Sequence, residues 1–292
     1  MIPGIVERVA DPSARRAVVI TGASTGIGRA SALELDSRGF QVFAGVRRDQ
    51  DAQDLRAERP SIEPVRIDVT DLASVEAARE HVTGVVGERG LAGLVNNAGI
   101  AVPGPLEHLP LDEIRRQLEV NVIGQIAVTQ AFLSLLRTAR GRIVNIGSIG
   151  GRVALPLLGP YAGSKHAMEG LSDSLRRELR PWGIEVSLVR PGPIATEIWE
   201  RGNASADDLL ERMPQAEAEY GPAIERARRF AAERTRQAVP PSAVAEVVVH
   251  ALTAQRPRTR YLVGPRARAM ATMRAVLPDR WFDAMLERAS RG

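Results

Sequence analysis

A tyrosine and a lysine stand four residues apart in Tyr161-Ala162-Gly163-Ser164-Lys165, and Lys165 is the sole lysine of a chain whose Lys and Arg together number 39. Every other basic position is arginine. Guanidinium is a planar fork that stays protonated, whereas ammonium is a compact charge that titrates readily when buried. One lysine spared in so arginine-rich a chain points to a role arginine could not fill. On a helix, positions 161 and 165 share a face, so a single turn holds phenol and ammonium in register. An ordinary surface lysine has the same spacing. A free tyrosine titrates near pH ~10, and a cation within ~4–6 Å favours its ionised form, so the pair suits proton transfer.

A second constellation is Thr21-Gly22-Ala23-Ser24-Thr25-Gly26-Ile27-Gly28, which follows a short apolar run and leads into an apolar-periodic stretch. Gly22, Gly26 and Gly28 suit a tight turn, close approach of backbone to a pyrophosphate, and close packing of helix on sheet; Ser24, Thr25 and Ile27 complete the loop. The helix N-terminus, with unpaired N–H groups and the positive end of its dipole, stabilises an anion there. A plain tight turn would use the same glycines, but a strand before, a helix after and a second strand soon following favour a dinucleotide. At the end of that second strand Val46 occupies the place of an acid that would bond the ribose hydroxyls of NAD, and Arg47 and Arg48 follow. Two guanidiniums suit a 2′-phosphate, so NADP(H) is expected over NAD(H), with solvated strand-end arginines as the alternative. Asp68 and Val69 end the third strand. Asp68 is placed to accept from the adenine amino group, or to cap the helix that starts near Asp71.

The elements that must position these groups alternate short apolar runs with longer helical patterns from Ala17 to about Gly192, which predicts an α/β parallel sheet buried on both faces, in one domain. Strands are expected at Ala17–Thr21, Gln41–Val46, Glu63–Ile67, Gly93–Asn96, Arg142–Ile146, Glu185–Val189 and Arg260–Val263; helices include Gly28–Arg38, Asp71–Val86, Leu111–Thr138 and Tyr161–Arg180. Residues 197–240, charged and helical with Trp199, Met213 and Phe230, follow the sixth strand and form a candidate lid over the carboxyl edge of the sheet, where such folds bind ligands. Residues 267–292 form an amphipathic tail, either a packed terminal helix or a lid or partner contact. Ser148 lies just past the fifth strand, so it reaches the same mouth as Tyr161. Between them Val153-Ala154-Leu155-Pro156-Leu157-Leu158 either presents apolar side chains to a hydrophobic substrate or packs on the core.

Gly22-x-x-x-Gly26-x-Gly28, Asn96-Asn97-Ala98-Gly99, Asn121, Ser148, Tyr161-x-x-x-Lys165 and Pro191-Gly192, in this order and spacing, resemble the short-chain dehydrogenase/reductase family over about Ala17 to Thr196. The stretches 139–145 and 171–179 look most like its retinol and hydroxysteroid dehydrogenase branch. The resemblance implies a Rossmann-type doubly wound sheet of seven strands with helices on both faces, and hydride transfer between a nicotinamide and a carbonyl or secondary alcohol. It also implies roles: Tyr161 as proton donor and acceptor, Lys165 holding the nicotinamide ribose and lowering the tyrosine pKa, Ser148 orienting the substrate oxygen, and Asn121 supporting a proton-relay water. Asn97, Ala98 and Gly99 would line the adenine ribose side, and Pro191, Gly192, Ile194 and Thr196 would flank the nicotinamide carboxamide. Some NADP-preferring relatives carry a basic residue before the second loop glycine; this chain has Thr25, so the NADP expectation rests on Arg47 and Arg48. The chemistry is coherent, because hydride arriving at a carbonyl carbon builds negative charge on its oxygen, where a proton and hydrogen bonds are needed. The other reading is a catalytically silent NADP(H)-binding sensor or scaffold.

Composition narrows the remaining classes. The 292 residues are 44% apolar and 25% charged, ordinary for a globular protein able to bury a sizeable core. With no cysteine there is neither disulfide nor thiolate metal site, which agrees with a cytoplasmic protein. Met1–Ala10 lacks the apolar core of a signal peptide, and no membrane span is expected. The net charge of +4 is small, the arginines are scattered among acids and aromatics make up only 4%, which argues against nucleic-acid binding. His81, His108, His166 and His250 show no metal-ligand pattern, so no metal is expected. Ser148 lacks the glycine-flanked elbow of a hydrolase. The long helices 111–138 and 161–180 suit pairing into a homodimer or homotetramer.

Overall fold

The structure, a computed structural model, describes residues 15–236 and 238–291; the Met1–Ala10 segment lies outside the described residues. Seven strands, β1 (Ala17–Ile20), β2 (Gln41–Val46), β3 (Glu63–Arg66), β4 (Gly93–Asn96), β5 (Arg142–Ile146), β6 (Glu185–Pro191) and β7 (Arg260–Val263), form one sheet in the order β3-β2-β1-β4-β5-β6-β7. Every pairing is parallel. Period-two alternation divides the strands between two cores. Val18 and Ile20 of β1 face one side with Val42 and Ala44 of β2, packed by α1 (Gly26–Ser37) and α9 (Pro241–Thr253). Ala17, Val19 and Phe43 face the other, packed by α3 (Leu72–Val86), α5 (Gly124–Ala139) and α6 (Gly159–Leu179). The strand order reverses between β1 and β4, and a ligand crevice opens there, outside the carboxyl ends of the strands.

The helix expected over Leu111–Thr138 is interrupted: α4 (Leu111–Leu118) passes through a π turn at Glu119–Ile123 into α5. Asn121 lies in that turn, its side chain tied to other elements, and the widened turn is what lets it face inward. By length and hydropathy the Leu111–Ala139 stretch passes for a membrane span, but Val128, Phe132, Leu135 and Leu136 are apolar because they pack on the sheet. α2 (Asp49–Glu58) was hidden from periodicity, since Leu55 is its one buried residue. The sixth strand runs two residues further than expected, Pro191 being tolerated at its end, where Gly192 N–H donates to Val263 O at 2.9 Å.

Residues 197–240 fold mainly as α7 (Ile198–Glu211) and α8 (Pro214–Arg236), and the tail as two helices rather than one, α10 (Pro265–Val276) and α11 (Asp279–Arg291), separated at Leu277-Pro278. The Trp199 side chain lies outside the described residues. A third, smaller apolar cluster of Val102, Leu109, Leu209, Met213 and Ala216 attaches α7 and α8 to the loop after β4.

Candidate active site

The glycine loop is shaped by close approach. Gly22 and Gly26 have φ of 64° and 55°, a region that L side chains rarely adopt. A Cβ on Gly28 would lie 2.2 Å from Gly22 O, and one on Gly26 would lie 3.0 Å from Thr196 Cγ2, so the end of the β6 loop sits against the cradle. Asn97 Nδ2 donates to Thr21 O and Gly22 O at 3.0 and 2.9 Å, while the amides of Asn97 and Ala98 both donate to Thr21 Oγ1 at 3.0 Å. The Asn97 side chain therefore holds the loop itself. Thr21, which sequence reasoning did not single out, is its fully buried partner. Ser24, Thr25 and Ile27 lie in the loop and the start of α1.

The two arginines after β2 divide their work. Arg48 Nε and Nη2 donate to Asp51 at 3.0 and 2.6 Å, the ordinary i,i+3 pair of a first helical turn. Arg47 is exposed and makes no hydrogen bond or ion pair among the described residues. Burial alone would raise the Asp68 carboxyl, but the amide and hydroxyl of Thr70 and the charges of Arg47 and Arg66 outweigh it, and the group lies below its ordinary value. Asp68 does not cap α3; Asp71 does, accepting from Ala73 N–H at 3.0 Å. Val69 is buried against the Gly124 backbone, where a Cβ would come within 2.6 Å of Val69 O. A loop that only glycine can trace, a free guanidinium at the end of β2 and an ionised carboxylate at the end of β3 fit a phosphorylated dinucleotide.

Ser148, Tyr161 and Lys165 converge at the carboxyl end of β5, and each is nearly sealed from solvent, at 9%, 7% and 4% exposure. Ser148 opens a 3-10 turn (Ile149–Gly151), its Oγ accepting from Gly150 N–H at 2.9 Å. Tyr161 enters from the first turn of α6 and is hydrogen-bonded with Ser148. Lys165 Nζ donates to Ile146 O at 2.8 Å and lies 5.9 Å from the centre of the Tyr161 ring. Burial lowers the Lys165 ammonium to about 8. Burial likewise lifts the Tyr161 phenol above its ordinary value, the bond from Ser148 opposing it only in part. This corrects the expectation of a lowered tyrosine: removing the phenol from water disfavours its anion more than the neighbouring groups favour it.

Asn121 supports this helix from behind. Its Oδ1 accepts from Ile100 N–H at 2.8 Å, and its Nδ2 donates to Ile100 O at 3.0 Å and to Ser164 Oγ at 3.1 Å. Ser164 in turn donates to Tyr161 O at 2.7 Å. Gly99 passes close by, a Cβ there falling 3.4 Å from Asn121 Oδ1. Beyond Pro191 and Gly192, the bridge between Ile194 and Val239 ties the β6 loop to the segment before α9, with Ala195 N–H donating to Val239 O at 3.0 Å.

From Ser148 and Tyr161 a cavity of about 1260 Å³ opens outward. Val153, Ala154, Leu155, Pro156, Leu157 and Leu158 all line it, so the whole loop before α6 faces the cavity, Val153 from a buried position. The opposite wall is α8, whose Ala223, Ile224, Ala227, Phe230 and Ala231 recur at helical spacing and stand half-buried. Met270 of α10 and Leu286 of α11 add to the lining, with the charged Arg226 and Arg228 of α8 and Asp283 and Glu287 of α11 among its polar members. At the rim, Tyr220 Oη donates to Glu107 Oε2 at 2.5 Å and His108 Nε2 pairs with Glu219 Oε2 at 2.9 Å, fastening α8 to the loop before α4.

A family model described as short chain dehydrogenase matches residues 16–207. The chain is 37% identical over 274 residues to an NADPH-dependent 3-dehydrocapnine reductase from Ornithobacterium rhinotracheale, covering 92% of this chain and 95% of that protein. It is 40% identical over 288 residues to mouse (Mus musculus) retinol dehydrogenase 5, covering 96% and 90%. Among solved structures, a short chain dehydrogenase from Burkholderia cenocepacia in complex with NADP superimposes with a TM-score of 0.70 at 27% identity, covering 94% of this chain and 98% of that one.

Proposed function

The chain belongs to the short-chain dehydrogenase family, and on that premise we propose that it is an NADP(H)-dependent oxidoreductase moving hydride between the nicotinamide and a carbonyl, or a secondary or retinol-like alcohol, of a hydrophobic substrate. The observation that carries this reading is the burial of Ser148, Tyr161 and Lys165 together at the inner end of an apolar cavity, beside a glycine cradle. Bound NADPH would supply the hydride; Gly22, Gly26 and Gly28 would admit its pyrophosphate, and Arg47 would take the 2′-phosphate. In reduction, Ser148 and Tyr161 grip the carbonyl oxygen, and the phenol gives up its proton as negative charge develops there. A phenol held above its ordinary pKa keeps that proton at neutral pH, and the Lys165 ammonium, charged below about 8, then stabilises the phenolate left behind. Asn121 and Ser164 act by holding the first turn of α6 in place.

The apolar lining from Leu155, Leu157, Leu158, Ile224 and Phe230 excludes water and supports a hydrophobic substrate, with α7 and α8 as its lid. Relatives named as reductases and dehydrogenases support catalysis over a silent sensor or scaffold. We extend the reading to a cytoplasmic homodimer or homotetramer paired through the exposed sides of α4, α5 and α6, where Leu118 and Ile123 are left uncovered. The test is a panel of hydrophobic ketones, aldehydes and secondary alcohols with NADPH, NADH, NADP and NAD. Tyr161→Phe is expected to lower turnover by about 10²–10⁴-fold while NADPH binding persists; retained activity would remove Tyr161 as the proton donor.

A further inference from the structure

Between α6 and β6 lies a nearly dry ion network that the proton transfer does not use. Glu169 stands one turn after Lys165 on α6, its side chain 13% exposed, and one guanidinium takes both of its oxygens. Arg190 Nε donates to Oε1 at 2.5 Å and Arg190 Nη2 to Oε2 at 2.6 Å. Arg260 of β7 donates through Nε to Oε2 at 3.1 Å, and its Nη2 pairs with Asp173 at 2.8 Å. Arg190 is buried, so the fork sits out of water. Well-packed apolar residues would serve stability about as well as such a pair, but only the two-bonded fork fixes both separation and angle. Its gain is in register.

Three parts of the site meet at Glu169. Gly151 N–H closes the turn that Ser148 opens, donating to Ser148 O at 3.0 Å. A Cβ on Gly151 would lie 2.8 Å from Lys165 O and 3.4 Å from Glu169 Cγ, so the Ser148 turn rests on the helical turn between Lys165 and Glu169. On the other side, Arg190 directly precedes Pro191. The loop that follows passes the cavity at Gly192 and Pro193 and reaches Thr196, which lies against Gly26 of the cradle. We propose that Glu169 is a positioning residue: through Arg190 it sets how the β6 loop, which flanks the cofactor site, stands against Ser148, Tyr161 and Lys165. This role rests on the reaction proposed above, whose hydride-transfer distance the tie would fix. A misplacement of about 1 Å in such a distance costs ~100-fold in rate.

The experiment compares three variants of the full chain in kcat, KM, NADPH affinity and denaturant midpoint. Glu169→Gln is expected to lower kcat about ten- to hundredfold, while KM and the NADPH dissociation constant move less than about threefold. Arg190→Lys keeps a charge pair without the fork, so its midpoint should stay near that of the wild type while kcat falls nearly as far. Asp173→Asn, which weakens the neighbouring pairs with Arg260 and Arg176, should lower the midpoint and leave kcat unchanged. The fluorescence lifetime of bound NADPH gives a readout without turnover. It should shorten in Glu169→Gln and Arg190→Lys, where the nicotinamide is held less firmly, and not in Asp173→Asn. Wild-type kcat and lifetime in Glu169→Gln, or in Arg190→Lys where Glu169→Gln does not fold, overturn the proposal. So does a fall in kcat that only follows the loss of folded protein. A wild-type chain that binds NADPH yet turns over nothing in the panel defeats the reaction instead, and the lifetimes then decide the tie alone.

Discussion

Inside the glycine loop backbone meets backbone, and the space for one further carbon at Gly28 ends 2.2 Å away at Gly22 O. Across the site, the α8 wall meets the cavity through side chains alone, half-buried alanines with Ile224 and Phe230 on a helix fastened to the rim by one tyrosine and one histidine pair. The cofactor side sits on the main sheet cores, whereas the substrate side rests on a separate small cluster around Met213. The difference teaches where tolerance lies. A cradle made of close backbone contacts serves any reaction that uses the same dinucleotide, while a wall of side chains can change its substrate without disturbing hydride chemistry.

That contrast can be broken most sharply at Gly28. Gly28→Val puts carbon where a backbone oxygen already is, and overpacking of ~1–3 kcal/mol or more translates to about a ten- to hundredfold loss of NADPH affinity. A fluorescence titration of NADPH giving wild-type affinity would show the cradle to be as yielding as the opposite wall.

Lys165 offers the next largest effect. Its folded-state value of about 8 lies below the ordinary lysine value near ~10.4. Below pH 8 folded and unfolded chains both carry the charge, and the folded one bears the full cost of burying it. Between about 8 and ~10.4 the folded chain releases the proton first, so stability rises with pH, by about 3 kcal/mol across the window. Denaturant midpoints measured from pH 7 to 10 in the wild type and in Lys165→Met should diverge by this rise and otherwise run parallel. A difference that stays flat with pH would place the ammonium in water.

Arg47→Asp should shift the NADPH/NADH ratio of kcat/KM toward NADH by about tenfold, since a charge-assisted phosphate contact becomes a repulsion. Arg48→Asp should change it less, because Arg48 already serves Asp51. Equal effects would dissolve the division of labour between them. Smallest of all, Ala227→Phe in the α8 wall should raise KM for the bulkiest substrates a few-fold, with NADPH affinity unchanged; a matching loss of NADPH affinity would mean the two sides are one packed unit.

Much of the site was legible because it is local. The Tyr161 and Lys165 spacing places both on one face of whatever helix forms, and positive φ at Gly22 and Gly26 is a property glycine alone supplies cheaply. Gln41–Val46, Gly93–Asn96, Arg142–Ile146 and Arg260–Val263 were read to their ends, since short, largely buried apolar runs with a β-branched residue admit little else. α2 was not legible, having almost no apolar stripe to announce it.

Residue order and side-chain chemistry therefore determined by themselves the alternation of strands and helices, the glycine turn and the phenol–ammonium pair, because each depends on backbone sterics and helical or strand periods within a few residues. Tertiary structure alone decided that Asn97 would hold the loop through Thr21 and Gly22, that Asp71 rather than Asp68 would cap α3, that Arg48 would be taken by Asp51 while Arg47 stayed open, and that α8 would face a cavity. It also decided the sign of the Tyr161 shift. Burial is a sum over atoms brought from distant parts of the chain, and no spacing within α6 contains that sum.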